Sequence, residues 1–212
     1  MNGALILQQP SGPATQLVLL FHGVGASPRD LAPLGEALAE RFERAWVVSV
    51  RSPDASDFGA GWQWFSVQGV AEANRPARVA AAMPRFVQTV RHWQHETGLG
   101  ADATTLIGFS QGAIMSLEAT QLPATIAGHL IAIAGRFASP PRLAPTQTAL
   151  HLMHGEIDRV VPHAMSVEAL ACLQALGARA TLDSFAGLGH GIDQRVLERV
   201  VERMQDRSVT AS

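Results

Sequence analysis

A serine with glycine two positions before it and two after it, Gly108-Phe109-Ser110-Gln111-Gly112, is the group of residues in this chain best suited to chemistry. A serine hydroxyl is a weak nucleophile, so it must be exposed at a fixed point beside a base. A sharp strand-to-helix turn does this but crowds the backbone on both sides, and the glycines relieve that crowding. The segment before the serine, Thr104 to Ile107, is an apolar run, and Gln111 to Ala119 has helical character. A helix starting there would aim its N–H groups at the turn, where negative charge would develop.

Such a serine needs a histidine to take its proton and an acid to orient that histidine, in the chain order Ser, Asp or Glu, His. Five histidines follow Ser110: His129, His151, His154, His163 and His190. His129 and His151 fall in or beside apolar runs, His154 ends one, and His163 stands at the start of a helical pattern. His190 lies in Gly187-Leu188-Gly189-His190-Gly191, between the last strand pattern and the last helix pattern, and is the expected base. For the acid, Asp158 in His154-Gly155-Glu156-Ile157-Asp158 follows a strand and precedes a helix. Glu156 is a rival two residues away; Asp183 sits inside a strand pattern and Asp193 comes after the histidine. Aspartate also caps helices and closes turns, the ordinary alternative for Asp158.

A second donor to an oxyanion is expected from the loop after an early strand. Leu17 to Phe21 is followed by His22-Gly23-Val24-Gly25-Ala26, whose glycines allow close backbone approach. The expected donors are the backbone N–H groups of Val24 and Gln111. That loop lacks the spacings of a phosphate-binding loop.

The elements that must hold these loops alternate between apolar runs and helical patterns, which predicts an α/β fold with a mostly parallel sheet flanked by helices. Strands are predicted at Leu5 to Gln8, Leu17 to Phe21, Ala45 to Val50, Thr104 to Gly108, His129 to Ala134, Ala149 to Met153 and Thr181 to Phe185. Helices are predicted at Asp30 to Phe42, Arg75 to Glu96, Gln111 to Ala119, His163 to Leu176 and Ile192 to Met204. Gly98, Gly100 and Gly177 read as helix stop signals. Arg51 to Asn74 reads as one long irregular loop with Phe58, Trp62, Trp64 and Phe65; such loops often carry function. The small, polar tail Gln205 to Ser212 is expected to fray.

A chain of 212 residues, 47% hydrophobic and 16% charged, fits one domain spanning 1–212 with a full core. The net charge of −2 offers no general attraction to nucleic acid or to an anionic membrane. Lysine is absent, which excludes a lysine base or Schiff base, and a lone Cys172 excludes an internal disulfide. No basic segment precedes an apolar one at the N-terminus and no apolar run reaches membrane-spanning length, so the expectation is a cytoplasmic protein without stable membrane insertion.

Together, His-Gly-Val-Gly at 22–25, Trp-Gln-Trp-Phe-Ser-Val at 62–67, Gly-Phe-Ser-Gln-Gly, the segment His154 to Pro162 and Gly187 to His190 resemble the phospholipase/carboxylesterase family of α/β-hydrolases. That family includes acyl-protein thioesterases and small bacterial carboxylesterases. The likeness runs from about Leu17 to Asp193 and is greatest to the bacterial esterase branch, through Gln63 to Arg78 and Leu106 to Leu117. It implies an α/β-hydrolase fold with little or no separate cap. Ser110, Asp158 and His190 match the family's triad, Val24 and Gln111 its oxyanion donors, and Trp64 an aromatic lining the acyl pocket. Where the thioesterases usually carry an acidic residue after the first motif, this chain has Ala26; after Trp64 it reads Phe-Ser-Val instead of an aromatic followed by Asp.

The expected activity is a serine carboxylesterase acting on short-to-medium acyl esters through an acyl-enzyme, with a small-molecule ester as partner and no metal or organic cofactor. The alternatives are an acyl-thioesterase or lysophospholipase-type lipid-ester hydrolase, and a non-catalytic binding protein of the same fold. Trp62, Trp64 and Phe65 would either contact an apolar substrate group or pack their loop onto the core.

Overall fold

The computed structural model describes residues 3–205. Nine strands and five α-helices are present among them: β1 (Leu5–Gln8), β2 (Gln16–Phe21), α1 (Ala32–Arg41), β3 (Ala45–Val50), β4 (Asp54–Ala55), β5 (Trp62–Gln63), α2 (Arg75–Thr97), β6 (Thr104–Phe109), α3 (Gln111–Ala119), β7 (His129–Ile133), β8 (Ala149–Gly155), α4 (Ala164–Ala175), β9 (Ala180–Phe185) and α5 (Gln194–Gln205). Seven strands form one sheet in the order β1-β3-β2-β6-β7-β8-β9. β1 runs antiparallel to β3, and every other pairing in this sheet is parallel.

Successive side chains of a strand point to opposite faces, so a strand apolar at every position must be covered on both. In β2, Leu17, Leu19 and Phe21 enter one core cluster together with Phe86, Val90 and Trp93 of α2, Ile114 and Leu117 of α3, and Leu173 of α4. Val18 and Leu20 enter the other, with Leu34 and Leu38 of α1 and Val196, Val200 and Met204 of α5. The sheet is thus sandwiched between α1 and α5 on one side and α2, α3 and α4 on the other. This is the α/β architecture, a mostly parallel sheet flanked by helices, that the alternating pattern predicts, and it fits the α/β-hydrolase fold that the resemblance implies.

Element boundaries agree with the sequence reading to within a few residues. The largest differences are a 3-10 turn at Pro28–Leu31 ahead of α1, two further residues of β8, His154 and Gly155, and a start of α5 two residues later than predicted, at Gln194. Gly98 ends α2 with φ of 69°, and Gly177 follows α4 with φ of 81°. The stretch 51–74, expected to be irregular throughout, contains the two-stranded ribbon β4–β5, and Ala26 forms a bridge to Trp62. Asp57 organises the remainder, accepting from Gln63 Nε2 (2.9 Å), Ser66 Oγ (2.7 Å), Val67 N (2.9 Å) and Gln68 N (3.1 Å). These bonds, the Ser66 hydroxyl foremost, hold its carboxyl down at about 2. The expected fraying of the tail falls, beyond Gln205, outside the described residues.

Candidate active site

Strand order sets the site. β6 lies at the middle of the sheet between β2 and β7, and its C-terminal end passes directly into α3. Ser110 occupies that junction with φ of 52° and ψ of −113°. A non-glycine residue at positive φ costs on the order of 1–3 kcal/mol and persists only where its surroundings enforce it. Here the Ser110 N–H donates to Ile133 O (2.9 Å) and the Ser110 carbonyl accepts from Ile114 N (3.0 Å). Close packing explains the flanking glycines: a Cβ on Gly112 would stand 2.1 Å from the Phe21 carbonyl oxygen, and one on Gly108 would stand 2.5 Å from the Ala113 nitrogen.

His190, Asp158 and Ser110 come together from three loops at the C-terminal edge of the sheet. His190 Nε2 lies 2.9 Å from Ser110 Oγ, and Nδ1 lies 2.7 Å from Asp158 Oδ2. A carboxylate can only accept, so its partner fixes the proton on Nδ1 and leaves Nε2 to accept from the serine hydroxyl. The Phe109 ring packs against the imidazole with centroids 5.1 Å apart. Asp158 Oδ1 accepts from Val160 N (2.8 Å) and Val161 N (2.9 Å), so the same aspartate also closes its own turn. Burial acts to raise the Asp158 carboxyl; the His190 hydrogen bond and the two backbone N–H groups outweigh it and hold the group below the usual carboxylate range.

A further histidine, His154, stands behind this aspartate. Its Nε2 donates to Val161 O (2.8 Å) and lies 3.3 Å from Asp158 Oδ2, while Nδ1 accepts from Ser166 Oγ (2.7 Å). Burial lowers its pKa, which keeps it neutral. The rival acids are engaged elsewhere or exposed. Asp183 pairs with Arg199 and Arg203, Asp193 pairs with Arg195, and Glu156 faces solvent. Of the other histidines, His129 and His151 pack ring against ring, 4.9 Å between centroids, and His163 Nε2 meets Ser184 Oγ at 2.8 Å.

The loop after β2 abuts the serine: a Cβ on Gly23 would stand 3.2 Å from Ser110 Cβ. His22 shapes this loop, with Nδ1 donating to Gly23 O (2.7 Å) and Nε2 accepting from Ser52 N (3.1 Å). Among the described residues, the backbone N–H groups of Val24 and Gln111 donate to no protein acceptor. Val24, Gln111 and Ser110 line one cavity of about 540 Å³, whose apolar wall includes Phe65, Val67, Ile114, Val161 and Met165.

Trp64 does not line that cavity, contrary to the role implied by resemblance. It is only 2% exposed and packs edge-on against Phe21 and Phe86, with centroids at 5.5 and 5.2 Å. Its neighbour Phe65 takes the lining position. The reason is local: Gln111 Oε1 accepts from Trp64 N (2.7 Å), Gln111 Nε2 donates to Phe65 O (2.8 Å), and Trp64 Nε1 donates to His22 O (3.3 Å). These bonds turn the Trp64 ring into the core. The Gln111 side chain was not singled out from sequence; a polar residue at the start of a mostly apolar helix was its one signal.

A charged cluster in the cavity wall was also not anticipated. Arg136, after β7, donates through Nη1 and Nη2 to both carboxylate oxygens of Glu72 (3.0 and 2.7 Å), and Arg75 Nη2 donates to Glu72 Oε1 (3.0 Å). Among the described residues no group of three or more His, Cys, Asp and Glu side chains is placed to hold a metal ion, and no helix is long and apolar enough to cross a membrane.

The family model described as Phospholipase/Carboxylesterase matches residues 2–207. The chain is 48% identical over 200 residues to Esterase YpfH of Escherichia coli (strain K12), covering 94% of this chain and 86% of that protein. It is 23% identical to Acyl-protein thioesterase 1 of Neurospora crassa, over 91% of this chain and 87% of that one. Among solved structures, esterase PE8 superposes with a TM-score of 0.87 at 31% identity, covering 96% of this chain and 98% of the other.

Proposed function

The chain belongs to the phospholipase/carboxylesterase family of α/β-hydrolases, whose activity is carboxylic ester hydrolysis, and on that premise we propose that it cleaves short-to-medium acyl esters through an acyl-enzyme on Ser110. His190 takes the Ser110 proton as Oγ attacks the ester carbonyl. The oxyanion so formed accepts from the N–H groups of Val24 and Gln111, which cost no reorganisation because the backbone already holds them. His190 then passes its proton to the leaving alkoxide, and the C–O bond breaks to leave the acyl-serine. A water, deprotonated by His190, attacks that ester and releases the acid, restoring the serine. Asp158 holds the imidazole in the needed tautomer and stabilises the imidazolium between steps. No metal or organic cofactor takes part in these steps.

The observation that carries this reading is the continuous hydrogen-bonded run from Ser110 Oγ through His190 to Asp158, at 2.9 and 2.7 Å. The cavity that opens on the same hydroxyl supplies a largely apolar bed for the acyl group. Phe65 takes the place of Trp64 as the aromatic residue in contact with substrate.

The test is hydrolysis of p-nitrophenyl butyrate together with labelling by a fluorophosphonate probe. Ser110→Ala is expected to lower kcat by about 10⁴-fold or more and to abolish labelling. Wild-type rates in that variant would end the proposal. Failure of the wild-type protein to react with the probe would favour a non-catalytic role.

A further inference from the structure

Ester hydrolysis as described has no use for the charged cluster in the cavity wall. Arg75 at the start of α2 and Arg136 after β7 share the single carboxylate of Glu72, so the cluster carries a net charge of +1 beside an otherwise apolar lining. Exposure is uneven: both arginine side chains are 18% exposed, whereas Glu72 is 67% exposed. Structural ion pairs commonly place a mobile, solvated arginine over a carboxylate. Here the guanidiniums are built into the wall and the carboxylate hangs at its mouth.

The donors are also unevenly used. Arg136 commits Nη1 and Nη2 to Glu72 and Nε to Phe137 O (3.1 Å). Arg75 gives only Nη2 to Glu72. Its Nε is enclosed without an acceptor, and Nη1 has no acceptor either but is not enclosed. The enclosed Nε is out of a ligand's reach, so the open Nη1 is the donor that a group in the cavity can take. Other acids nearby do not fill the role: Asp158 is held by His190 and its own turn, and Glu168, in the adjoining cavity that Glu72 and Arg136 also line, forms no ion pair with either arginine.

We propose that Arg75 reads a free carboxylate on the substrate, so that the preferred esters carry a second, unesterified acid group in the portion seated in this cavity. A planar carboxylate fits the donor fork of a guanidinium, and Arg136 already holds Glu72 in that two-point manner. Arg136 is the positioning residue: by gripping both oxygens of Glu72 it keeps that side chain to one bond with Arg75. With the substrate acid in place, two carboxylates face two guanidiniums and the wall is neutral.

This rests on the esterase reading, and the test separates the two. Mono-p-nitrophenyl esters of succinic, glutaric and adipic acids are compared with neutral p-nitrophenyl alkanoates of equal chain length, which places the acid on the acyl side. 4-Acetoxybenzoate is compared with phenyl acetate, which places it on the alcohol side. For at least one pair, kcat/KM is expected to favour the charged ester tenfold or more, and less so in 0.5 M NaCl. Arg75→Met should cut that ratio at least tenfold, and Glu72→Gln, which leaves Arg75 in place, should raise it. A ratio at or below one for every pair overturns the inference, as does an Arg75→Met effect equal on both esters. If Arg75→Met does not fold, the wild-type ratios and the Glu72→Gln shift decide alone. Neutral-ester turnover and probe labelling with a flat ratio sink only this inference. Loss of both in the wild type sinks the esterase reading, and calorimetry with glutarate then reports directly on whether the wall binds a carboxylate.

Discussion

The side-chain amide of Gln111 accepts the backbone N–H of Trp64 at 2.7 Å, tying the residue after the serine to a loop 47 positions away. Its other end donates to the Phe65 carbonyl, so one side chain fixes the aromatic wall of the cavity, while its own backbone N–H donates to no protein acceptor among the described residues. Gln111→Ala leaves the backbone donor in place but strands a buried N–H and a buried carbonyl. The expected loss of stability is about 2–4 kcal/mol, read as a lower urea midpoint. KM for p-nitrophenyl esters should rise by a larger factor than kcat falls. An unchanged midpoint would show that the loop is held by other contacts.

Asp158→Asn tests the tautomer. Two backbone N–H groups hold Oδ1, so the amide oxygen of the replacement is expected to stay there and its nitrogen to face His190. An amide N–H beside Nδ1 forces the imidazole proton to Nε2, which can then no longer accept from Ser110. The expected fall in kcat is about 10⁴-fold, with near-native circular dichroism. A loss below tenfold would mean that the aspartate serves its turn and little else.

The buried His154 sets a pH dependence of stability. Burial depresses its pKa below the ordinary 6.5 in the folded state. Above 6.5 it is neutral both folded and unfolded. As the pH falls through 6.5 the unfolded chain takes up a proton that the folded chain does not, so stability drops, by at most about 1.4 kcal/mol per pH unit for this group. His22, also buried and depressed, acts in the same direction. His154→Gln should therefore be less stable at pH 7, yet lose less between pH 7 and pH 5, in urea titrations at the two values. Parallel losses in both proteins would contradict this.

Glycines that look alike in sequence should respond differently to alanine. At Gly112 the added carbon meets the Phe21 carbonyl, which belongs to a central strand and cannot yield; a cost of about 3 kcal/mol or failure to fold is expected. At Gly189 nothing lies within 4 Å and φ is not in the left-handed region, so the change should stay within about 0.5 kcal/mol. Thermal midpoints of the two variants make the comparison, and similar midpoints would refute it.

Much of this was legible from the chain. Strands covered on both faces announce themselves as unbroken apolar runs, which is why β2, β3 and β6 were found within a residue. Ser110, Asp158 and His190 could be picked out because each follows a strand, and parallel strands deliver their following loops to a common edge. The ribbon of β4 and β5 was missed because two-residue strands leave no alternation to read. Trp64 was misplaced because composition does not say which way a loop aromatic turns; that depends on Gln111 and His22, both distant in sequence. The Glu72–Arg136 pair, 64 residues apart, and the bond from Gln63 to Asp57 are products of folding that no local pattern encodes.

The backbone angle at Ser110 decides which nucleophiles the scaffold can carry. A branched Cβ is a severe misfit at a φ of 52°, so threonine, the nearest alcohol in reactivity, is barred by shape. Cysteine, with an unbranched Cβ like that of serine, is admitted. Exchange of oxygen for sulfur is thus open to this protein, whereas the gain of one methyl group is closed.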